Sequence, residues 1–141
     1  MAEPEKVSNE EVERCFDEWN WKYRQLPQKP GAWELSFQMR TSVFTVFVDN
    51  GLSNPAFLSV GLLYLKPQSN HQEVYQQLLR NNANVLFSKF VLDDQGNIWV
   101  RGVILRFRTA FAPEKLKHII GAVLQAADHW YVDILTKATG G

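Results

Sequence analysis

The chain has 141 residues, of which 45% are hydrophobic and 21% are charged, and equal numbers of acidic and basic side chains give a formal net charge of zero. These proportions are ordinary for a folded protein and exclude disordered and collagen-like chains, and the neutral balance gives no support for a nucleic-acid or membrane-surface protein. The single cysteine, Cys15, excludes an intramolecular disulfide framework and a cysteine zinc cluster.

The N-terminal part of the chain is predicted to contain a short tail and one amphipathic helix. Residues 1–7 are expected to form a loose, flexible tail. Ser8 and Glu11 then form a capping-box pattern, and apolar side chains recur three or four residues apart as far as Leu26. Pro27 follows, so a helix is predicted from Ser8 to about Leu26.

Three strands are predicted in the next part of the chain. Residues 33–39 alternate strictly between apolar and polar side chains, which is typical of a strand with one wet face. Residues 41–49 are β-branched or aromatic on both faces and predict a central strand, and residues 57–66 predict a third strand. The pair Asn50-Gly51 marks a turn between the last two strands.

A second helix and a β-hairpin follow. The helix is predicted over residues 70–85, because apolar side chains again recur at helical spacing. The hairpin joins residues 89–92 to residues 98–105 through an acidic loop, in which Gly96 supplies a left-handed backbone conformation.

The third helix is predicted to begin at Pro113, which suits a first helical position, and to bury an apolar stripe that continues to Ile134. The element order is then α-β-β-β-α-β-β-α. Short turns join most neighbouring strands, so the sequence predicts an α+β fold with a twisted, largely antiparallel sheet of five strands packed by three helices. Residues 8–137 are expected to form one domain, and residues 138–141 a second flexible tail.

The protein is predicted to be cytoplasmic and free of membrane association. Its first residues are acidic and polar and lack the basic and apolar regions of a secretory signal. Its longest apolar runs fall far short of the ~20 residues that a membrane helix needs.

No pattern of catalytic or metal-binding residues is found in the sequence. The three histidines, His71, His118 and His129, stand at no metal-ligand spacing, and turn chemistry explains the acidic hairpin loop. Cys15 lies in the apolar stripe of the first helix, where a buried structural thiol is expected. The sequence therefore predicts no catalytic residue, no metal and no cofactor.

Trp21 is the most informative single residue of the sequence. At about 100° per residue, it lies on the opposite side of the predicted first helix from the apolar stripe. Two interpretations are open. The ring covers the end of the helix against the loop 27–30, or it anchors a partner protein, since Trp is enriched at binding hot spots.

The predicted sheet has apolar side chains on both of its faces. In the second strand Val43 and Phe47 lie on one face, and Phe44 and Val46 lie on the other. If the three helices cover only one face, the other face must be buried in a dimer or against a client segment.

Three arginines near Trp99 raise an alternative hypothesis, that the sheet binds nucleic acid. Such sheets interleave basic with aromatic side chains, as Arg101, Arg106 and Arg108 do here. Strand alternation, however, places Arg101 on one face and the other two on the opposite face. Solvated or paired arginines at a strand end are therefore the preferred explanation.

The second half of the chain resembles the YbjN family, which has the fold of type III secretion chaperones. The likeness is carried by residues 78–82 (LLRNN), by the hairpin 87–100 (FSKFVLDDQGNIWV) and by residues 124–128 (LQAAD). Family members similarly show a helix that ends in Asn, a hairpin with a turn glycine, and a last helix that contains the pair Ala-Asp. In layout the resemblance covers residues 8–136.

The resemblance implies a small, non-enzymatic and often dimeric protein whose chaperone relatives hold extended segments of other proteins. Secretion chaperones are typically acidic, whereas this chain is neutral and carries five tryptophans. These departures favour a housekeeping adaptor or an assembly chaperone. The cyanobacterial members that assist carboxysome shell assembly are one group to which the chain is a candidate to belong.

The expected function is therefore that of an adaptor or assembly chaperone that captures an extended peptide of a partner protein by strand addition. Trp21 and Trp33 are the expected anchors, and Phe37, Trp99 and Arg101 are expected to support them, with Arg101 placed to pair with a peptide carboxylate. The expected partners are a protein or peptide and a second copy in a homodimer, and neither nucleic acid nor membrane. A nucleic-acid-binding module and an enzyme with an unrecognised site are the alternatives.

Overall fold

The computed structural model describes residues 5–140, and these form three helices and six strands. The helices are α1 (Asn9–Glu18), α2 (His71–Asn82) and α3 (Pro113–Ala138). The strands are β1 (Arg24–Gln25), β2 (Ala32–Gln38), β3 (Val43–Asn50), β4 (Phe57–Leu65), β5 (Lys89–Leu92) and β6 (Ile98–Leu105). They form one antiparallel sheet in the order β1-β2-β3-β4-β6-β5.

The α+β class and the three helices are confirmed, but the number of strands and the end of the first helix were predicted wrongly. The sheet has six strands and not five, because the two-residue strand β1 lies where the helix was expected to continue. A strand of this length is too short to show an alternating pattern in the sequence.

Helix α1 ends at Glu18 because the chain turns through a left-handed residue just beyond it. Asn20 has φ 58°, and its N–H donates to the carbonyl of Asp17 at 3.1 Å. The N–H of Trp21 donates to the carbonyl of Phe16 at 2.9 Å. These two bonds form a Schellman motif. The motif needs a residue in the left-handed conformation, which Asn adopts more readily than any residue type except glycine and Asp.

The start of α1 agrees with half of the predicted capping box. The N–H of Glu11 donates to the Ser8 hydroxyl at 3.2 Å, so Ser8 is the N-cap. The Glu11 carboxylate instead pairs with Arg108, beyond the end of β6.

The three helices lie on the same face of the sheet and bury its side chains. The aromatic ring of Phe16 in α1 packs on Trp33 of β2, α3 packs on β4 and β6, and α2 packs on α3 and β5. Alternate residues of the inner strands supply the sheet side of the core: Leu35, Phe44, Val46, Val48, Leu58, Val60, Leu62, Ile98 and Val100. We call the opposite side of the sheet the open face, because no helix of residues 5–140 packs on it.

The long helix α3 fits its predicted stripe. Leu116, Ile120, Val123 and Ile134 are completely buried, whereas Trp130 is half-buried against the ring of Phe90. Asp128 on this helix accepts hydrogen bonds from the N–H and the hydroxyl of Thr41, at 2.8 and 2.5 Å, and so fixes the turn between β2 and β3.

Two residues of the expected tails pack against the rest of the domain. Val7 is 1% exposed, and its N–H donates to the carbonyl of Arg106 at 2.8 Å. Ala138 is also buried, and its carbonyl accepts from the N–H groups of Gln68 and Ser69. Of the expected tail residues, 1–4 and 141 lie outside the described residues.

No helix in the described part of the chain combines the length and the apolar character that a membrane crossing requires.

Candidate functional site

The edge strand β2 leaves part of its backbone without a strand partner. β1 pairs only with Trp33 and Glu34 of β2. The carbonyl of Ala32 accepts from Leu26 on this side, and backbone groups alternate in direction along a strand, so Ser36 and Gln38 point their N–H and C=O groups outward. Within residues 5–140, no strand pairs with β2 beyond Glu34 on this edge.

An aromatic cluster adjoins this free edge on the helix side of the sheet. Phe37 of β2 lies edge to face with Trp21, with ring centroids 5.0 Å apart, and Trp19 packs on Trp21 at 4.8 Å. The ammonium group of Lys117 in α3 lies 5.6 Å from the Trp19 ring and 5.9 Å from the Trp21 ring. The three aromatic side chains are half-buried. We call these four residues the edge cluster.

The position of Trp21 follows from the early end of α1. Its off-stripe position in the sequence rested on a helix that continues to Leu26, and that helix does not form. The Schellman turn instead places the ring against Trp19 and Phe37. Trp21 is therefore part of a surface cluster beside the sheet edge.

Trp33 was expected to be a surface anchor, and the structure places it in the core. Its side chain is 0% exposed and packs edge to face on Phe16 with centroids 5.8 Å apart. Its indole N–H donates to the Glu13 carboxylate at 2.8 Å. A side chain buried beneath α1 cannot contact a partner unless the helix leaves the sheet, so we assign Trp33 to the core.

Trp99 and Arg101 lie on the open face, away from the edge cluster. The Trp99 ring packs on Phe47 of β3 at 6.3 Å, and the guanidinium of Arg101 lies 5.3 Å from the centre of the Trp99 ring. Gly61 of β4 lies next to the Trp99 ring, where an added Cβ would make an ordinary van der Waals contact at 3.5 Å. The five predicted residues therefore occupy the edge cluster, the core and the open face.

The open face carries exposed aliphatic side chains that would ordinarily be buried. Val43 of β3 is 57% exposed, Leu63 of β4 is 48% exposed, and Val103 of β6 is 51% exposed. In the described residues the helices therefore cover only one face of the sheet, and the apolar side chains of the other face are left exposed.

The opposite edge of the sheet is protected by the side chain of Asn82, one of the residues that carry the family resemblance. The amide of Asn82, at the end of α2, donates to the carbonyl of Phe90 at 3.0 Å and accepts from its N–H at 2.8 Å. Asn82 thus occupies the outward groups of β5 as a neighbouring strand would, which is one way to protect a sheet edge. The sequence signal was the helix-ending Asn of residues 78–82, which carried the family resemblance without a predicted contact to β5.

The hairpin turn beneath Trp99 is held by one carboxylate. Asp93 accepts hydrogen bonds from the backbone of Gln95 and Asn97, from the Asn97 side chain, and from the Trp99 indole N–H at 3.0 Å. The indole bond first, and then the others, lower the pKa of the Asp93 carboxyl from 3.8 to about 2. Gly96 has φ 82°, which confirms the predicted left-handed position.

This arrangement predicts a pH dependence. Because the pKa of Asp93 is lower in the folded state than in the unfolded state, its contribution to stability is complete above pH 3.8 and is lost as the pH falls towards 2. NMR titration of the carboxyl carbon should give a midpoint near pH 2. Replacing Trp99 by Phe should raise that midpoint, and a wild-type midpoint at the ordinary value would contradict the assignment.

The contacts of the other candidate chemical groups are explained by a structural role. Cys15 is buried, as predicted, and burial raises the pKa of its thiol. Arg108 forms ion pairs with Glu5 and Glu11, which agrees with the interpretation of paired arginines at the strand end. Among the described residues, no three His, Cys, Asp or Glu side chains come together as a metal site.

Several solved structures have a similar fold at low sequence identity. YbjN from E. coli, described as "a putative transcription regulator", superposes with a TM-score of 0.70 at 11% identity and covers 93% of this chain and 96% of that chain. A chain of the HopA1–SchA chaperone–effector complex gives 0.58 at 16% identity, over 84% and 88% of the two chains. A chain of the heterodimeric ExoU–SpcU complex from the type III secretion system of Pseudomonas aeruginosa gives 0.57 at 12% identity, over 92% and 99%.

At the sequence level, no curated protein matches the chain. A family model does match, and it covers residues 8–135. Its description is "YbjN: Putative bacterial sensory transduction regulator". The match extends from the N-cap of α1 almost to the end of α3, so the protein belongs to the YbjN family.

Proposed function

We propose that the protein is a non-enzymatic, cytoplasmic adaptor or assembly chaperone that holds an extended segment of a partner protein at the free edge of β2. The observation that carries this proposal is the open backbone of Ser36 and Gln38 directly beside the edge cluster. The fold likeness to a chaperone–effector complex and to a heterodimeric complex supports a protein as the partner.

The proposed contact is the addition of one strand to the sheet. A partner strand would exchange backbone hydrogen bonds with Ser36 and Gln38, which supply affinity without regard to sequence. Its residue opposite Phe37 would point to the helix side and contact Trp21, and the flanking residues would point to the open face. The edge cluster would therefore select an apolar or aromatic side chain at one position of the partner segment.

The open face is proposed as a second contact surface. Trp99 and Arg101 are proposed to contact the partner beyond the added strand, or a second copy of the chain in a homodimer. The homodimer and the carboxysome association stay predictions that rest on the resemblance and, for the homodimer, on the exposed open face.

The experiment compares edge variants for binding of a selected peptide. The probe is the tightest binder from a displayed library of random peptides of about a dozen residues, titrated by fluorescence anisotropy. Ser36→Pro removes the outward N–H at an edge position, where proline is tolerated, so the variant should fold and lose the peptide. Ser36→Ala keeps the N–H and should bind as the wild type does.

Trp21→Ala tests the edge cluster in the same assay. Binding should weaken by ~2 kcal/mol or more, as at a hot spot. Because the ring is half-buried and packs on two aromatic neighbours, unfolding free energy should fall by about 1 kcal/mol. Unchanged binding by both Ser36→Pro and Trp21→Ala would exclude this edge. Salt-sensitive binding to generic DNA or RNA, without peptide binding, would instead favour the nucleic-acid alternative.

A further inference from the structure

A second free edge lies at the end of the sheet opposite to β2, where β6 extends beyond β5. β5 pairs only with Ile98–Arg101, so the last four residues of β6 have no strand beside them on that edge within residues 5–140. The backbone of Phe90 faces away from β6, because Asn82 binds its N–H and C=O. Strand alternation therefore directs the N–H and C=O groups of Val103 and Leu105 to this free edge.

A groove of about 700 Å³ adjoins this edge between β6, α3 and the loop before β5. We call it the β6 groove. Its walls are largely apolar and include Leu86, Phe87, Ile104 and Ile119. Leu86 is 86% exposed and Phe87 is 55% exposed. Both lie in the short connection between α2 and β5. The groove therefore combines an open ladder of backbone groups with an apolar wall.

The charged residues around the groove are mostly basic. Lys89, Arg101 and Lys115 line it together with a single carboxylate, Glu114. The ammonium of Lys89 is held by the carbonyls of Asn82 and Val85, and Lys115 is held by the carbonyl of Ala110. These contacts fix the position of two positive charges and neutralise neither.

No ion pair within residues 5–140 involves these three cations. A bound segment with carboxylates on its flanks would complement their charge, and a basic segment would be repelled. The alternation of side chains along an added strand would place apolar residues against Phe87 and Ile119 and acidic residues towards the rim.

We propose that the β6 groove is a second docking site, which binds an extended segment of another protein that alternates apolar and acidic residues. It is separate from the edge cluster, because β3 and β4 lie between β2 and β6 in the sheet. The protein would then hold two segments at once, one at each edge. This site does not depend on the function proposed for β2.

The test uses a labelled synthetic peptide of about seven residues that alternates Val and Glu, which is the length of an ordinary strand. Fluorescence anisotropy should show binding that weakens with salt, and the matched Val–Lys peptide should bind about tenfold more weakly or not at all. Lys115→Glu and Arg101→Glu should each weaken Val–Glu binding by about tenfold. Lys66→Glu makes the same charge change near the hairpin turn and should have no effect.

Hydrogen exchange locates the peptide in the same samples. The Val103 and Leu105 amides should exchange rapidly in the free protein and slowly with the Val–Glu peptide, while the Ser36 and Gln38 amides should not change. Ser36→Pro and Trp21→Ala should leave this binding intact, so a failure of the β2 site and a failure of this site are distinguishable. Absence of binding at millimolar peptide, equal binding of the Val–Lys peptide, or protection at Ser36 instead of Val103 would overturn the proposal.

Discussion

A Trp33→Ala variant is expected to lose about 3–5 kcal/mol of unfolding free energy, the cost of removing a fully buried aromatic side chain. The ring is 0% exposed and packs on Phe16, and its removal would leave a cavity beneath α1. It would also remove the donor that Glu13 accepts. Chemical denaturation monitored by circular dichroism measures the loss.

Trp33→Phe is the matched control, because it keeps an aromatic ring in the core and removes only the indole N–H and part of the volume. Its loss should be clearly smaller. A Trp33→Ala protein that melts as the wild type does but fails to bind the selected peptide would show that Trp33 is a surface anchor after all.

A Val123→Asp variant is expected to lose at least ~3–5 kcal/mol, because it places a carboxylate without a partner in the core. Val123 is 0% exposed in the middle of α3, the helix that packs on β4 and β6. Gln125→Asp changes an exposed position of the same helix and should alter the unfolding free energy by ~0.5 kcal/mol at most.

Equal stability of Val123→Asp and Gln125→Asp would mean that the buried face of α3 has been assigned wrongly. A Val123→Asp protein that is stable only at acid pH would support the assignment, because protonation removes the buried charge.

Strands, hairpin and the last helix could be predicted from the sequence because each has a strong local signal. The alternation over residues 33–39, the left-handed position of Gly96 and the long stripe of α3 all agree with the fold. The end of α1 could not be predicted in this way. Trp19 is the C-cap of α1, and Tyr23 lies beyond the left-handed residue Asn20. Both continue the helical spacing and pack on Phe16 although they lie outside the helix.

The proposed binding residues were harder to predict than the elements that carry them. Trp33 and Phe37 share one face of β2, and alternation alone cannot tell whether a helix covers both. In the structure α1 covers Trp33 completely, whereas Phe37 lies towards the free end of the strand beside Trp21. Exposure at this edge depends on tertiary packing and on the two-residue length of β1.

The motifs shared with the YbjN family have structural roles in this chain. Asn82 protects the edge of β5, Asp93 and Gly96 shape the hairpin turn, and Asp128 fixes the turn between β2 and β3. The carbonyl of Ala127 accepts from the Tyr64 hydroxyl at 2.5 Å. These residues therefore stabilise the fold of this chain, and the proposed partner contacts lie on other surfaces.

The two free edges would give the protein a simple way to act as the proposed adaptor. Asn82 blocks β5, so strand addition is open only at the far part of β2 and at the last residues of β6 among the described strands. Each open edge adjoins apolar side chains of its own, and the chemistry beside the two differs: aromatic at β2 and basic around an aliphatic groove at β6.

A crystal structure of the protein with the selected peptide tests the proposed function most directly. The account predicts an extended peptide that pairs with β2, with its backbone at hydrogen-bonding distance from the N–H and C=O groups of Ser36 and Gln38 and one side chain against Trp21. A peptide bound on the open face over Trp99, with no backbone hydrogen bond to β2, would contradict it.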